Sequence, residues 1–240
     1  PHEDIYSCYT KIPYNFQLSW LVYNSDTGKI DKICDYILKV PDHIIISEEC
    51  SNIHGITNEI SKKKGREPKE ILQLFVNDFK NATLCVCHNV RFDKRMLRIE
   101  LIRNNFTDYI YKGKSEWYCT MENSINICKI DKYNKYTHAR KMLERCRETI
   151  TSNPNNMGVD YLDELSNLVE TLKSGEKEYY KRPKLIELHE HLFKTTPNNL
   201  HNSLVDVVVC FRCWYWLYSN KMDILEKDAD FRKEYEKVCG

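Results

Sequence analysis

A chain of 240 residues with 42% apolar side chains carries enough hydrophobic material for one sizeable α/β domain, alone or with an insertion. Its 36 basic and 35 acidic residues leave a formal charge of +1, which excludes a globally basic nucleic-acid coat, so a polyanion must be held by a local patch. The eleven cysteines fall on no regular spacing, which excludes a disulfide-scaffolded secreted domain and predicts reduced thiols in a cytosolic or nuclear compartment.

The first fifteen residues have no clean period. Phe16 to Asn24, FQLSWLVYN, is β-rich and partly alternating; SDTGK makes a turn, and IDKICDYILKV returns as a second strand, so an antiparallel hairpin is expected. After Pro41 the reading is an extended HIIIS, then IHGIT at 53–57 and a lysine-rich loop, SKKKGR, at 61–66. Lys69 to Lys80 places Ile71, Leu72, Phe75, Val76 and Phe79 on one helical face. Thr83 to Cys87 is a short apolar run suited to a buried strand, and residues 88–104 follow as a tight loop and an amphipathic helix with Phe92, Met96, Ile99 and Leu101 apolar. This order puts His88 to Asp93 at the carboxyl end of a strand, where α/β proteins collect their chemistry.

Residues 131–180 turn polar, with two amphipathic segments separated by SNPNNMG. One carries Ala139, Met142, Leu143 and Cys146; the other carries Leu162, Leu165, Leu168, Val169 and Leu172. They read as a helical hairpin inserted into a single domain spanning 1–240. Pro183 opens a further helix at its favoured first-turn position. The most apolar stretch, Leu204 to Tyr218, is interrupted by Asp206 and Arg212 and is shorter than the ~20 residues that span a bilayer, so no membrane partner is expected and the protein reads as soluble. Cys210 and Cys213 form a C-x-x-C inside this run with no second pair at ligand spacing, so they read as core thiols rather than a zinc site. Residues 221–240 form a charged, peripheral tail.

Taken singly, the acidic residues have structural explanations. Ser203-x-x-Asp206 matches a capping box, and Asp93 suits the positive end of its helix. The pattern His88-Asn89-x-x-Phe92-Asp93 is more specific than either carboxylate. With His54-Gly55-Ile56-Thr57 before it and His201-Asn-Ser-Leu-Val-Asp206 long after it, the set resembles the DEDD-type 3′ to 5′ exonucleases of the His-containing branch. The likeness covers about residues 16–130 and 181–218 and leaves the hairpin outside, as an insertion.

That resemblance implies a ribonuclease H-like fold, a mixed β-sheet flanked by helices, and hydrolysis at single-stranded or frayed nucleic-acid 3′ ends. It carries Asp93 and Asp206 over as ligands of two Mg²⁺ or Mn²⁺ ions and His201 as the general base. His54 and Gly55 fall near the terminal nucleotide, with His88, Asn89 and Phe92 as supporting residues. The family's first motif, D-x-E on the central strand, belongs some fifteen residues before Gln17, where this chain has only Asp4-Ile5-Tyr6. Two explanations stand: the sequence starts just after that motif, or Glu3 to Thr10 is a degenerate first strand. Either leaves half the acidic ligands, so weak metal binding and little or no turnover are expected from residues 1–240 as given. The alternative from another class is a non-catalytic nucleic-acid-binding or scaffolding module that keeps the fold.

Overall fold

The computed structural model describes residues 12–106, 115–131, 135–152, 159–175 and 180–240, so Asp4-Ile5-Tyr6 and the rest of 1–11 lie outside the described residues. The predicted hairpin is present as β1, Gln17–Asn24, antiparallel to β2, Lys29–Ile37, with a register shift between Val22 and Tyr23. Its turn follows from local chemistry. The Asn24 side chain accepts from the backbone of Asp26 and Thr27, and Gly28 adopts φ 69°, a left-handed conformation that costs glycine least.

Beyond Pro41 the chain is more helical than expected. Helix α1, Glu48–His54, is capped by Ser47 and closed by Gly55 at φ 74°. Helix α2, Asn58–Lys64, occupies most of the segment read as the loop SKKKGR. The reason is end chemistry: the Thr57 hydroxyl accepts from Ile60 N at 3.2 Å, Glu59 stands in the first turn and three lysines close the last. A charge-rich composition looked like a loop, whereas the caps made it a helix. Helix α3, Pro68–Phe79, buries all five residues predicted for its inner face. Leu72 is completely covered, and burying a side chain of that size contributes roughly 1.5–3 kcal/mol.

Strand β3, Leu84–Cys87, runs parallel to β4, Glu116–Cys119, and between them lies α4, Val90–Arg103. The apolar stripe assigned to α4 needs correction. Ile99 and Leu101 are buried, but Phe92 is 59% exposed, and Glu100 is buried instead. Glu100 pairs with Arg103 at 2.6 Å and accepts from Asn15 N at 3.2 Å, while Arg103 donates to the Ile12 and Pro13 carbonyls and lies 4.0 Å from the Tyr14 ring. An ion pair inside the helix thus anchors the segment leading into β1.

After β4 come α5, Thr120–Asn123, and α6, Ile125–Cys128. Residues Ser124–Pro183 form a compact unit of their own, in which α7, Lys135–Ser152, packs against α8, Val159–Gly175. Ala139, Leu143, Leu165 and Val169 make its core; Leu168, placed on that stripe by spacing, is 48% exposed.

The chain then returns through α9, Leu185–Phe193, which starts two residues later than Pro183 because the Glu187 carboxylate takes the Lys184 backbone N–H at 2.7 Å and makes Lys184 the cap. Helix α10, Ser203–Tyr218, is the core helix: nine of its residues are buried, Cys210 and Cys213 among them, and it packs against β1 and β3 alike. Two elements follow, α11, Ile224–Lys227, and α12, Ala229–Cys239. The charged tail therefore has an inward face, with Ile224, Phe231, Tyr235 and Cys239 buried. It closes over a polar network: Arg212 donates to both Asp223 oxygens, at 3.1 and 2.5 Å, and stands 3.1 Å from His189 Nε2, which also accepts from the Tyr235 hydroxyl at 2.8 Å. The ten described cysteines are free thiols, and no helix among the described residues is long and apolar enough to cross a membrane.

Candidate functional site

Two helix starts build the site, the first after a strand and the second after the loop that leaves α9. At the first, Asn89 takes φ 80° and ψ 58°, a left-handed conformation that asparagine tolerates, and turns the end of β3 into α4. Its carbonyl accepts from Phe92 N at 2.9 Å and Asp93 N at 3.4 Å, which fixes Asp93 in the first turn beside the exposed Phe92 ring. His88 faces inward: its Nδ1 lies 3.0 Å from the hydroxyl of Thr120, which donates to the Cys87 carbonyl at 3.3 Å and sits 3.7 Å from Cys210 Sγ on α10.

At the second corner the cap of α10 is Asn202, not Ser203, because the Asn202 side chain accepts from Leu204 N at 3.0 Å. The expected capping box is therefore out by one residue. Asp206 instead takes the backbone N–H of His201 on its Oδ1 at 3.3 Å. His201 itself has φ 77° and an exposed side chain. Gln17 ties this corner to β1: its Nε2 donates to Asp35 at 2.7 Å and to Asn202 at 3.4 Å, and its Oε1 accepts from Ser203 N at 3.2 Å.

The electrostatics of the two corners are linked. Burial, reinforced by the charge of Asp206 and opposed by its own backbone N–H and the Cys87 thiol, pushes the Asp93 carboxyl up to about 7. Burial likewise raises Asp206, against the pull of the His201 backbone N–H and imidazole. The thiol floor of the site stays protonated: a hydrogen bond with Cys85, then burial, raise Cys87, and burial pushes Cys210 up to about 12. Such thiols are poor nucleophiles and poor metal ligands.

Asp93 and Asp206 are brought together from positions more than a hundred residues apart in sequence. As oxygen donors that resist ionising side by side, they fit a hard divalent cation better than zinc. They remain a pair: among the described residues no group of three or more His, Cys, Asp or Glu side chains is placed to hold a metal ion.

His54 ends α1. Its Nδ1 accepts from Ile56 N at 3.1 Å, which puts the proton of the neutral ring on Nε2, and that atom is buried with no partner. Burial lowers its pKa, and its ring lies 5.1 Å from that of Phe16, the residue before Gln17. Gly55 has open space where a Cβ would sit, so glycine serves its φ of 74° rather than a close approach. Two contributors carried no motif signal: Gln17, one polar residue in an alternating strand, and Thr120, a fully buried hydroxyl; Asn202 lies inside the His201–Asp206 pattern, next to the expected cap.

Among the described residues the strands form two separate two-stranded ladders, one antiparallel and one parallel, in place of the single mixed sheet expected, and with the central helix α10 packed against both they make a mixed α/β fold of the ribonuclease H-like kind. Solved structures with this fold include Escherichia coli exonuclease I. In its complex with a dT13 oligonucleotide it matches 87% of this chain and 38% of its own, at 14% identity and a TM-score of 0.53. The complex with a dA16 oligonucleotide matches 51% of this chain and 29% of its own, at 17% identity and a TM-score of 0.43. Exonuclease X in complex with 5′ overhanging duplex DNA matches 68% and 86%, at 16% identity and a TM-score of 0.34. The chain spans under two-fifths of the exonuclease I chains in these two complexes. No family model and no curated protein matches it.

Proposed function

We propose that this chain carries a 3′ to 5′ exonuclease domain of the His-containing DEDD type, acting on single-stranded or frayed nucleic-acid 3′ ends. The observation that carries the reading is the placement of Asp93 in the first turn after β3 and of Asp206 in the first turn of α10, which packs against β3, so that the charge of one acts on the other. Asp93 and Asp206 would hold Mg²⁺ or Mn²⁺, which when bound lowers the pKa of the attacking water and stabilises the leaving oxygen. The exposed imidazole of His201 takes the proton from that water, while its backbone N–H keeps Asp206 oriented. His54, its neutral ring held by the Ile56 N–H on Nδ1, lines the corner made by Gly55 beside the terminal nucleotide. Phe92, half out of the protein, presents a ring for base stacking. Asn89 sets the turn, and His88 braces it through Thr120.

Support for the substrate class comes from exonuclease I, which shares the fold and was crystallised with oligonucleotides. The stretch where the resemblance puts the first motif, residues 1–11, lies outside the described residues. With two acidic ligands in hand, slow turnover is expected from residues 1–240. The test is release of labelled mononucleotide from a 3′-labelled single strand with Mn²⁺. The expected result is slow release that Asp206→Ala and Asp93→Ala each abolish. Binding of the strand with no release under any metal overturns hydrolysis and leaves the non-catalytic module; release untouched by either substitution removes these carboxylates from the mechanism.

A further inference from the structure

Helix α2 ends in Lys62, Lys63 and Lys64, all exposed, and among the described residues no acidic side chain pairs with them. Their neighbours are neutralised: Lys39 pairs with Glu67 at 2.9 Å, and Arg66 with Glu70. In a chain of net charge +1, this leaves three uncompensated positive charges at consecutive positions of one helical turn. One basic residue suffices to complement a helix C-terminus, so two of these charges have no role in the helix itself.

The platform beneath them is rigid. Ser61, 1% exposed, donates to the Leu38 carbonyl at 2.9 Å and accepts from Val40 N at 3.1 Å. Arg66 N bonds Ile37 O at 2.8 Å, and Lys39 N bonds Arg66 O at 2.9 Å. At Gly65 a Cβ would come within 2.8 Å of Lys39 N, so the helix end sits against the chain leaving β2 with no room between. At the other end, Thr57 caps α2 directly after the His54–Gly55 corner. Seven residues of helix span about 10 Å, or roughly three steps of a stacked strand at ~3.4 Å each.

We propose that Lys62, Lys63 and Lys64 form a fixed phosphate-contacting platform for the internal backbone of a single-stranded nucleic acid whose 3′ end lies at His54 and Gly55. The platform rests on the exonuclease reading above and adds where the strand runs. It recognises the phosphodiester chain, common to DNA and RNA, and no base.

The test is the salt dependence of binding to (dT)12 and (rU)12, read by fluorescence anisotropy in EDTA so that no turnover is needed. Each phosphate contact to a single strand contributes about 0.7 to the slope of log K against log salt, so replacing all three lysines by glutamine should flatten it by about 2 on both strands. The triple arginine variant should keep the wild-type slope, and all three proteins should melt alike. A glutamine variant with the wild-type slope overturns the platform while leaving the exonuclease reading intact, as does a loss confined to one strand type, since phosphate contacts do not distinguish the 2′ position. Failure of the wild type to bind either strand overturns both.

Discussion

Replacing Asp93 by asparagine should make the metal-free protein more stable. The carboxyl has an ordinary pKa of 3.8 in the unfolded chain and about 7 in the fold, where burial and the charge of Asp206 oppose its ionisation. A folded pKa above the unfolded one means that protonation favours the native state. The group costs nothing below pH 3.8, the cost grows as pH rises from there to about 7, and above that it is constant. At 1.36 kcal/mol per unit, the full shift amounts to about 4 kcal/mol near pH 8 and to about 2 kcal/mol near pH 5. That is a large share of the ~5–15 kcal/mol that holds a domain together.

Asparagine keeps the shape, can accept from Cys87 and carries no charge. Urea unfolding in EDTA at the two pH values, with m-values compared, should show Asp93→Asn gaining about 4 kcal/mol near pH 8 and about 2 kcal/mol near pH 5. Mn²⁺ should then stabilise the wild type by mass action and leave the variant nearly unmoved. A variant no more stable than the wild type near pH 8, or a gain identical at both pH values, would refute the reasoning.

His189 works in the opposite direction. Burial holds its pKa below the usual 6.5, with the Arg212 charge adding to that, and its Nε2 lone pair is taken by Arg212 and Tyr235. A depressed folded pKa means that its contribution is fully present above pH 6.5 and is lost as pH falls through the folded value. His189→Gln should remove that acid-side slope without touching the Asp93 one; hydrogen exchange of α11 and α12 should lose protection at acid pH in the wild type only, and equal loss in both would refute the assignment. Ser61→Ala strands the Val40 N–H and the Leu38 carbonyl, and a buried group left unpaired costs about 1–3 kcal/mol. Urea unfolding reads the loss, and a change under about 0.5 kcal/mol would mean that these groups find other partners.

Much of the fold was legible along the chain because its signals are local. Apolar spacing located α3 with every inner residue correct, and the partial alternation of Phe16 to Asn24 followed by the SDTGK turn located the hairpin. The strand-to-helix corner at Asn89 stands where the pattern put it, whereas the helix that carries Asp206 is capped one residue earlier than expected, by Asn202. Local reading failed where the deciding partner was distant. Phe92 fits the α4 stripe by spacing yet faces solvent, while Glu100 goes inside because Arg103 and Asn15 meet it there. SKKKGR looks like a loop until Thr57 caps it and Ser61 pins it to the end of β2.

The sequence alone therefore determined which short stretches become strands or helices, since periodicity and capping act over one or two turns, and it singled out Asp93, His201 and Asp206 as candidates. Only the tertiary structure decided that Asp93 and Asp206 share one electrostatic environment, that Gln17 and Thr120 brace the two corners, and that His54 keeps an unpartnered donor. Those outcomes depend on α10 packing against β1 and β3 at once, and burial by elements far apart in sequence, rather than residue type, sets both the carboxylate pKa values and the hydrogen-bond partners.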